Sequence, residues 1–347
     1  TKTVAGATYS SSAIDKTYLK ATIFANIYQG FESRPFNILD DDSANFGLRS
    51  SFSYDFENRK KSKVQFGFEI SKEEYNYDLY RTEDGIQGEQ FQQNQELRSS
   101  TQFFAQYNMN FLDDLELEIG LNANLTSYTL DDQFASDMTD ISGEYNYSWI
   151  YSPRLNLKYT LNESDYLYGL ISHGYSIPTL EETLTPDGLI NNDIKPEIGL
   201  NTEIGFRGMT NNEKWSYGLT AYQMLVKNLL VARRTAADQF IGVNAGGSRH
   251  IGAELDLAYK MFNSGDWRSD FNLAYTYQKF TFTDFVDGED DYSSNELTGA
   301  IPNQVALGWS GGYKRLSLII KYKFIDSMPM RDDNSNYSDA YSLLDMY

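Results

Sequence analysis

The sequence predicts an all-β fold, a transmembrane antiparallel β-barrel, and three observations predict it. Segments of alternating hydrophobicity recur along nearly the whole chain. The links between them are short and long in strict alternation. The polar positions inside the segments carry more charges than a packed interior could hold unpaired. Side chains of a strand point alternately to opposite faces, so each segment presents one apolar and one polar wall. Short turns at one rim, long loops at the other, apolar walls toward lipid and polar walls toward a lumen are the plan of an outer-membrane barrel.

About fourteen segments fit the period-two template. In order they are Tyr18–Gln29, Asn45–Glu57, Lys63–Tyr75, Gln95–Asn110, Leu115–Leu130, Tyr147–Thr160 and Asp165–Ser176. They continue with Gly199–Gly208, Lys214–Val226, Arg249–Phe262, Trp267–Phe282, Asn303–Gly312, Leu316–Ile325 and Ala340–Tyr347. The fifth shows the scheme clearly: Leu115, Leu117, Ile119, Leu121, Ala123 and Leu125 on one face, Glu116, Glu118, Asn122 and Asn124 on the other. Across the set the polar face carries Glu69, Arg98, Glu116, Glu118, Arg154, Glu203, Arg207, Glu254, Asp256, Lys321 and Lys323. A water-filled lumen, or one filled by a polar plug, accommodates these charges.

The short links are Asn58–Ser62, Phe111–Asp114, Leu161–Ser164, Met209–Glu213, Asn263–Asp266 and Gly311–Arg315. They are rich in the Asn, Asp, Gly and Ser that tight turns favour. The long links are Gly30–Ala44, Asn76–Asn94, Asp131–Asn146, Ile177–Ile198, Lys227–Ser248, Thr283–Pro302 and Asp326–Asp339. A β-sandwich would mix long and short connections without this order. No linker or composition shift divides the chain, so residues 1–347 read as one barrel domain.

Composition narrows the class. Lys and Arg number 29 against 49 Asp and Glu, a formal charge of −20, which argues against a nucleic-acid partner. The 27 Tyr and 21 Phe suit aromatic girdles at the two membrane interfaces, and also strands in general. There is no Cys, so disulfides, thiolate metal sites and Cys nucleophiles are excluded. No apolar run approaches the roughly 18 residues of a membrane-spanning helix. The low mean hydropathy of −0.52 is compatible with barrel strands, half of whose residues face a lumen.

Three stretches resemble the TonB-dependent receptors, outer-membrane active transporters of Gram-negative bacteria. Ser172 to Leu184 (SHGYSIPTLEETL) is similar to that family's Ser-x-Gly-aromatic-x-x-Pro strand end and acidic loop start. Ile194 to Gly208 (IKPEIGLNTEIGFRG) resembles the Leu-Lys-Pro-Glu loop end and Glu-x-Gly-x-Arg strand. Val243 to Leu257 (VNAGGSRHIGAELDL) resembles the Asn-x-Gly…Gly-x-Glu-Leu segment entering a later strand. The resemblance implies a 22-stranded barrel filled by an N-terminal plug, with outer-membrane lipid around it and TonB as energy-coupling partner. It also implies import of a scarce nutrient, a ferric siderophore foremost, and no enzymatic activity. This sequence shows no plug, no energy-coupling box and too few strands. It is expected to run from roughly the seventh to the twentieth strand of such a barrel. A passive channel of about fourteen strands and a surface-attached all-β binding protein are the competing readings.

No catalytic residue, cofactor or metal site stands out. His173 and His250 are the only histidines and lack the spacing of a ligand pair. The acidic clusters in the long links, such as Asp40–Asp42, do not have EF-hand spacing and read as solvated charge. The candidate ligand-binding residues are Arg233, Arg234 and Arg331 in long links, Tyr80 and Arg81 beside Tyr75 and Tyr77, and Tyr145 beside Tyr147 and Trp149. Guanidinium forks and phenol rings grip anionic, catechol-like or sugar ligands by bidentate hydrogen bonds and stacking. Membrane-interface anchoring and loop stabilisation remain open for the same residues.

Overall fold

The computed structural model describes residues 1–347 apart from 58–59, 84, 135–139, 186–188, 237–238, 245 and 288; the side chains of 83, 181, 232–236 and 239–240 also lie outside the description. Alternation produces strands throughout. These are β1 (Lys2–Ser11), β2 (Thr17–Ser33), β3 (Asn37–Asp55), β4 (Lys63–Glu83), β5 (Ile86–Leu112), β6 (Leu115–Asp132), β7 (Gly143–Asn146), β8 (Ile150–Thr160), β9 (Tyr166–Ser176) and β10 (Glu197–Met209). They continue with β11 (Trp215–Lys227), β12 (Leu230–Ala236), β13 (Gln239–Asn244), β14 (Gly247–Ser264), β15 (Trp267–Asp284), β16 (Val286–Asp287), β17 (Asp290–Asp291), β18 (Asn303–Tyr313), β19 (Leu316–Ile325) and β20 (Tyr341–Met346). One antiparallel sheet runs β1-β2-β3-β4-β5-β6-β8-β9-β10-β11-β14-β15-β18-β19-β20, with β7 also on β6. Each wall strand pairs with its sequence neighbours. The hairpins β12–β13 and β16–β17 are separate and stand in the long links. Among the described residues no ladder joins β1 to β20.

All fourteen expected segments are strands of this sheet, and β1 is one more. It escapes the period-two template because Thr3, Ala5 and Ala7 on one side differ little from Val4, Gly6 and Thr8 on the other. Two links expected as long loops are strand instead. β2 and β3 pair as far as Ser33↔Ile38, and β4 and β5 as far as Glu83↔Ile86. Asp40, Asp41, Asp42, Asn76 and Asp78 make both faces polar there. The alternation vanishes where both faces of the ribbon carry polar side chains, while its ladder persists. The 27 residues of β5 extend about 90 Å at about 3.3 Å per residue, far more than a bilayer core of about 30 Å requires.

Register makes the two walls continuous. Leu121 sits between Ala105 and Pro153, Leu219 between Phe206 and Leu255, and Leu273 between Leu257 and Leu307. Ile204 on this wall is 64% exposed and Leu121 47%. A contiguous apolar face this open needs lipid, not water, as its solvent. Aromatic pairs mark the short-turn rim: Trp215 stacks on Tyr259 at 4.2 Å, and Trp267 packs at a tilt against Tyr313 at 4.4 Å, between ring centroids. Lys227 and Lys279 lie on the same wall near the other rim. Each follows its tryptophan by 12 residues, close to the roughly 9–11 that a tilted strand needs to cross.

The opposite wall is polar and internally paired. Arg49 meets Glu69, Arg154 lies 3.4 Å from Glu118, and Lys158 lies 3.1 Å from Glu116. Gln106 and Asn108 donate to the Glu118 carboxylate at 3.1 and 3.0 Å.

Candidate functional site

The long-loop end of the polar wall is roofed. After Asp132 the chain returns as β7, whose Tyr145 pairs with Tyr128 of β6. Beyond β9 the chain folds back over the same place. Thr179 and Glu182 form a capping box, with the Thr179 N–H donating to Glu182 Oε2 at 2.8 Å and the Glu182 N–H to Thr179 Oγ1 at 3.4 Å. This stabilises the short 3-10 turn Glu181–Thr183 and aims Leu180 at the wall. Tyr128, Leu130, Tyr145, Tyr147 and Leu180 form a buried cluster, with Ile141, Ile177, Leu184 and Ile190 packed against it. The hydroxyls of Tyr128 and Tyr147 both donate to the Pro178 carbonyl at 3.2 Å, and that of Tyr145 donates to the Ile194 carbonyl. Burial raises the pKa of all three phenols, so they stay neutral donors.

A second loop locks onto the first. The Asn244 side chain accepts from the Lys195 N–H at 2.7 Å and donates to the Lys195 carbonyl at 2.9 Å and the Asn228 carbonyl at 2.8 Å. The Leu230 N–H donates to Glu197 at 2.7 Å. Gly242 of β13 lies so close to the Glu182 carbonyl that a Cβ would clash.

Two cavities flank this roof. One of about 250 Å³ is lined by Glu73, Tyr75, Glu96, Arg98, Tyr128, Thr179 and Leu180. Arg98 is exposed at its mouth, with its guanidinium carbon 5.3 Å from the Tyr128 ring centroid. Tyr75 stacks on Tyr77 at 5.4 Å and donates to Asp41 at 3.1 Å. The other cavity, of about 620 Å³, is lined by residues including Tyr145, Tyr147, Trp149, His173 and Lys195. It lies where the wall parts. The β8–β9 ladder begins only at Arg154↔Ser172, next to Pro153, which has no N–H to donate. Together the cavities offer cations, carboxylates and phenols to a polar ligand that also has a flat or apolar part.

The expected binding residues do not all converge here. Tyr145 does, buried in the cluster and lining the larger cavity. Tyr80 and Arg81 stand on the projecting β4–β5 ribbon. Tyr80 donates to Asp78 at 3.4 Å, and Arg81 lies 5.6 Å from the Phe91 ring. Arg81 is eight residues beyond Glu73, about 26 Å along the strand. Arg331 is in the loop after β19, 3.8 Å from Asp333. Arg233 and Arg234 fall on β12, opposite Ile241 and Phe240, and their side chains lie outside the described residues. His250 is elsewhere, bonded to Ser248 at 2.9 Å and stacked on Phe280. The grouping of Arg98 with Tyr128 was missed, although hairpin symmetry about Asp113 pairs these two positions. Among the described residues no three His, Asp or Glu side chains gather as a metal site.

The sequence model described as TonB dependent receptor-like, beta-barrel matches residues 2–347. The chain belongs to the TonB-dependent receptor β-barrel family. The receptor barrel is accordingly an outer-membrane protein of a Gram-negative bacterium, in a family of transporters and not of enzymes. Solved structures share its fold. The ferric citrate transporter FecA superposes with a TM-score of 0.77 at 14% identity, over 99% of this chain and 53% of FecA. The copper transporter OprC gives 0.78 at 15%, over 99% and 56%. The siderophore receptor PiuA from Acinetobacter baumannii gives 0.75 at 14%, over 99% and 57%. The chain thus spans about half the length of these proteins. No curated protein sequence matches it.

Proposed function

We propose that the chain forms the barrel wall of a receptor that captures a scarce nutrient at the cell surface and imports it with TonB-coupled energy. Ferric siderophore is the favoured substrate class. The family match over residues 2–347 carries this reading. It is supported by structural relatives named as a ferric citrate transporter and a siderophore receptor, and by a roofed vestibule with cations and phenols at its mouth. A plug and TonB are partners of the whole receptor in this reading.

Ligand contact is assigned first to Arg233 and Arg234, then to Arg331, Tyr80, Arg81 and Tyr145. The arginines offset the repulsion that a strongly acidic chain exerts on an anionic chelate. The test is binding and uptake of radiolabelled ferric catecholate and ferric citrate by the full-length receptor and its Arg233→Ala/Arg234→Ala variant. Each lost charged contact should weaken binding by about 1.5–3 kcal/mol, roughly ten- to a hundredfold. Unchanged affinity in a folded double variant removes the pair from the site. Uptake that persists after collapse of the proton gradient refutes energy coupling.

A further inference from the structure

The short-turn rim of the apolar wall holds a groove of about 300 Å³ between β14, β15, β18 and β19. Phe262, Trp267, Trp309, Tyr313, Leu316 and Leu318 form its sides. Gly311 makes room for it: the Trp309 ring lies across this glycine, where a Cβ would clash with it. The Trp309 indole N–H donates to Ser269 Oγ at 3.0 Å and holds the ring in place. Trp267 and Leu316 stay 61% and 74% exposed, on a wall whose solvent is acyl chains.

The mouth of the groove is cationic. The turn from Tyr313 to Leu316 presents Lys314 and Arg315, both exposed. Lys314 Nζ lies 5.3 Å from the Tyr313 ring centroid and 3.8 Å from Asp266, an exposed pair that binds weakly. Arg315 has no ion-pair partner among the described residues. Arg268 also lines the groove, so positive charge gathers here in a chain whose formal charge is −20. An apolar groove below a positive mouth, at a membrane interface, complements a molecule with acyl chains and an anionic head. We infer that this groove is a binding site for an anionic phospholipid of the periplasmic leaflet. One acyl chain lies along Trp309 and Leu318, and the phosphate meets Arg315 and Lys314. Fixed phospholipid at this rim would go beyond the general lipid contact that any barrel makes.

Quenching of tryptophan by brominated acyl chains tests the inference. The full-length receptor is reconstituted in phosphatidylcholine vesicles containing a small fraction of brominated phosphatidylglycerol or, separately, brominated phosphatidylcholine. The signal of Trp267 and Trp309 is isolated by subtracting that of the Trp267→Phe/Trp309→Phe protein. At equal mole fraction the anionic lipid should quench these two residues more strongly, with a local enrichment of about fivefold for each cation. Lys314→Glu/Arg315→Glu should abolish the preference. Lys60→Glu/Lys61→Glu, at another basic turn, should leave it intact. Equal quenching by the two lipids overturns the site. So does a preference that survives Lys314→Glu/Arg315→Glu, or one that falls equally in the control, which marks generic surface charge.

Discussion

Arginine at position 121 probes the two walls most directly. Leu121 lies six residues from the Leu115 end of β6, about 20 Å along the strand. At a tilt of about 40° this is about 15 Å from the short-turn rim, the middle of a core about 30 Å thick. Its wall neighbours across the ladders, Ala105 and Pro153, are too short to cover a guanidinium. Leu121→Arg therefore places an unshielded charge at the bilayer midplane, at a cost of about 2–4 kcal/mol. Asn122 is at the same depth on the polar wall, and its Oδ1 has no hydrogen-bond partner to lose. Asn122→Arg keeps its charge on the polar wall at a half-buried position and should cost about 1 kcal/mol, the usual figure for a point substitution and well below the cost at 121. The assay is urea-dependent folding of the full-length receptor into phosphatidylcholine vesicles, with the folded fraction read from gel mobility before and after heating. Equal costs at 121 and 122, or a larger one at 122, would refute the assignment of the walls.

Topology, roof and pH response give further tests. Cys placed at Asp290 or Asp332 should react with an impermeant thiol reagent on intact cells and Cys at Asn212 should not; the reverse pattern would invert the barrel. Leu180→Ala should weaken docking of the 177–196 loop by about 2–5 kcal/mol, seen as new protease cleavage within it in an otherwise folded receptor; unchanged cleavage would show that the buried cluster does not hold the loop. Burial, and then the neighbouring Asp40 and Asp42 carboxylates, raise the Asp78 carboxyl pKa on the projecting ribbon. The folded ribbon thus favours protonated Asp78, and its order is greatest at acid pH and falls as pH rises through the raised pKa. Asp78→Asn should flatten that dependence in hydrogen exchange of residues 74–94, and an identical pH profile in the variant would count against the coupling.

The wall was legible because lipid and lumen impose opposite demands on alternate residues. Leu121 and Asn122 differ for that reason, and each expected segment contains many such pairs. Where the demand ceases, so does the signal. The ribbon around Asp40–Asp42 and Asn76–Asp78 carries polar side chains on both faces, and its strands read as loops. β1 is built from residues too small to distinguish its faces. The site was legible only in its aromatic residues. Tyr145 and Tyr147 could be picked out as a cluster, but the Leu180 turn that covers them is distant in sequence. Arg98 was visible only as one charge among many on the polar wall, and its position over Tyr128 follows from pairing, which no single strand displays.

The Asn244 latch bears on how such receptors can be re-engineered. Two hydrogen bonds of one side chain tie the β12–β13 hairpin to Lys195 in the loop that precedes β10, and a third closes the base of the hairpin itself at the Asn228 carbonyl. The two loops therefore behave as one replaceable cassette rather than two. A chimera that imports residues 177–196 from another receptor would arrive with a foreign backbone opposite Asn244 and Gly242, and the hairpin would lose its anchor. Transferring 177–196 together with 228–247 keeps the latch and its seat in one graft, so recognition chemistry can change while the scaffold below is left alone.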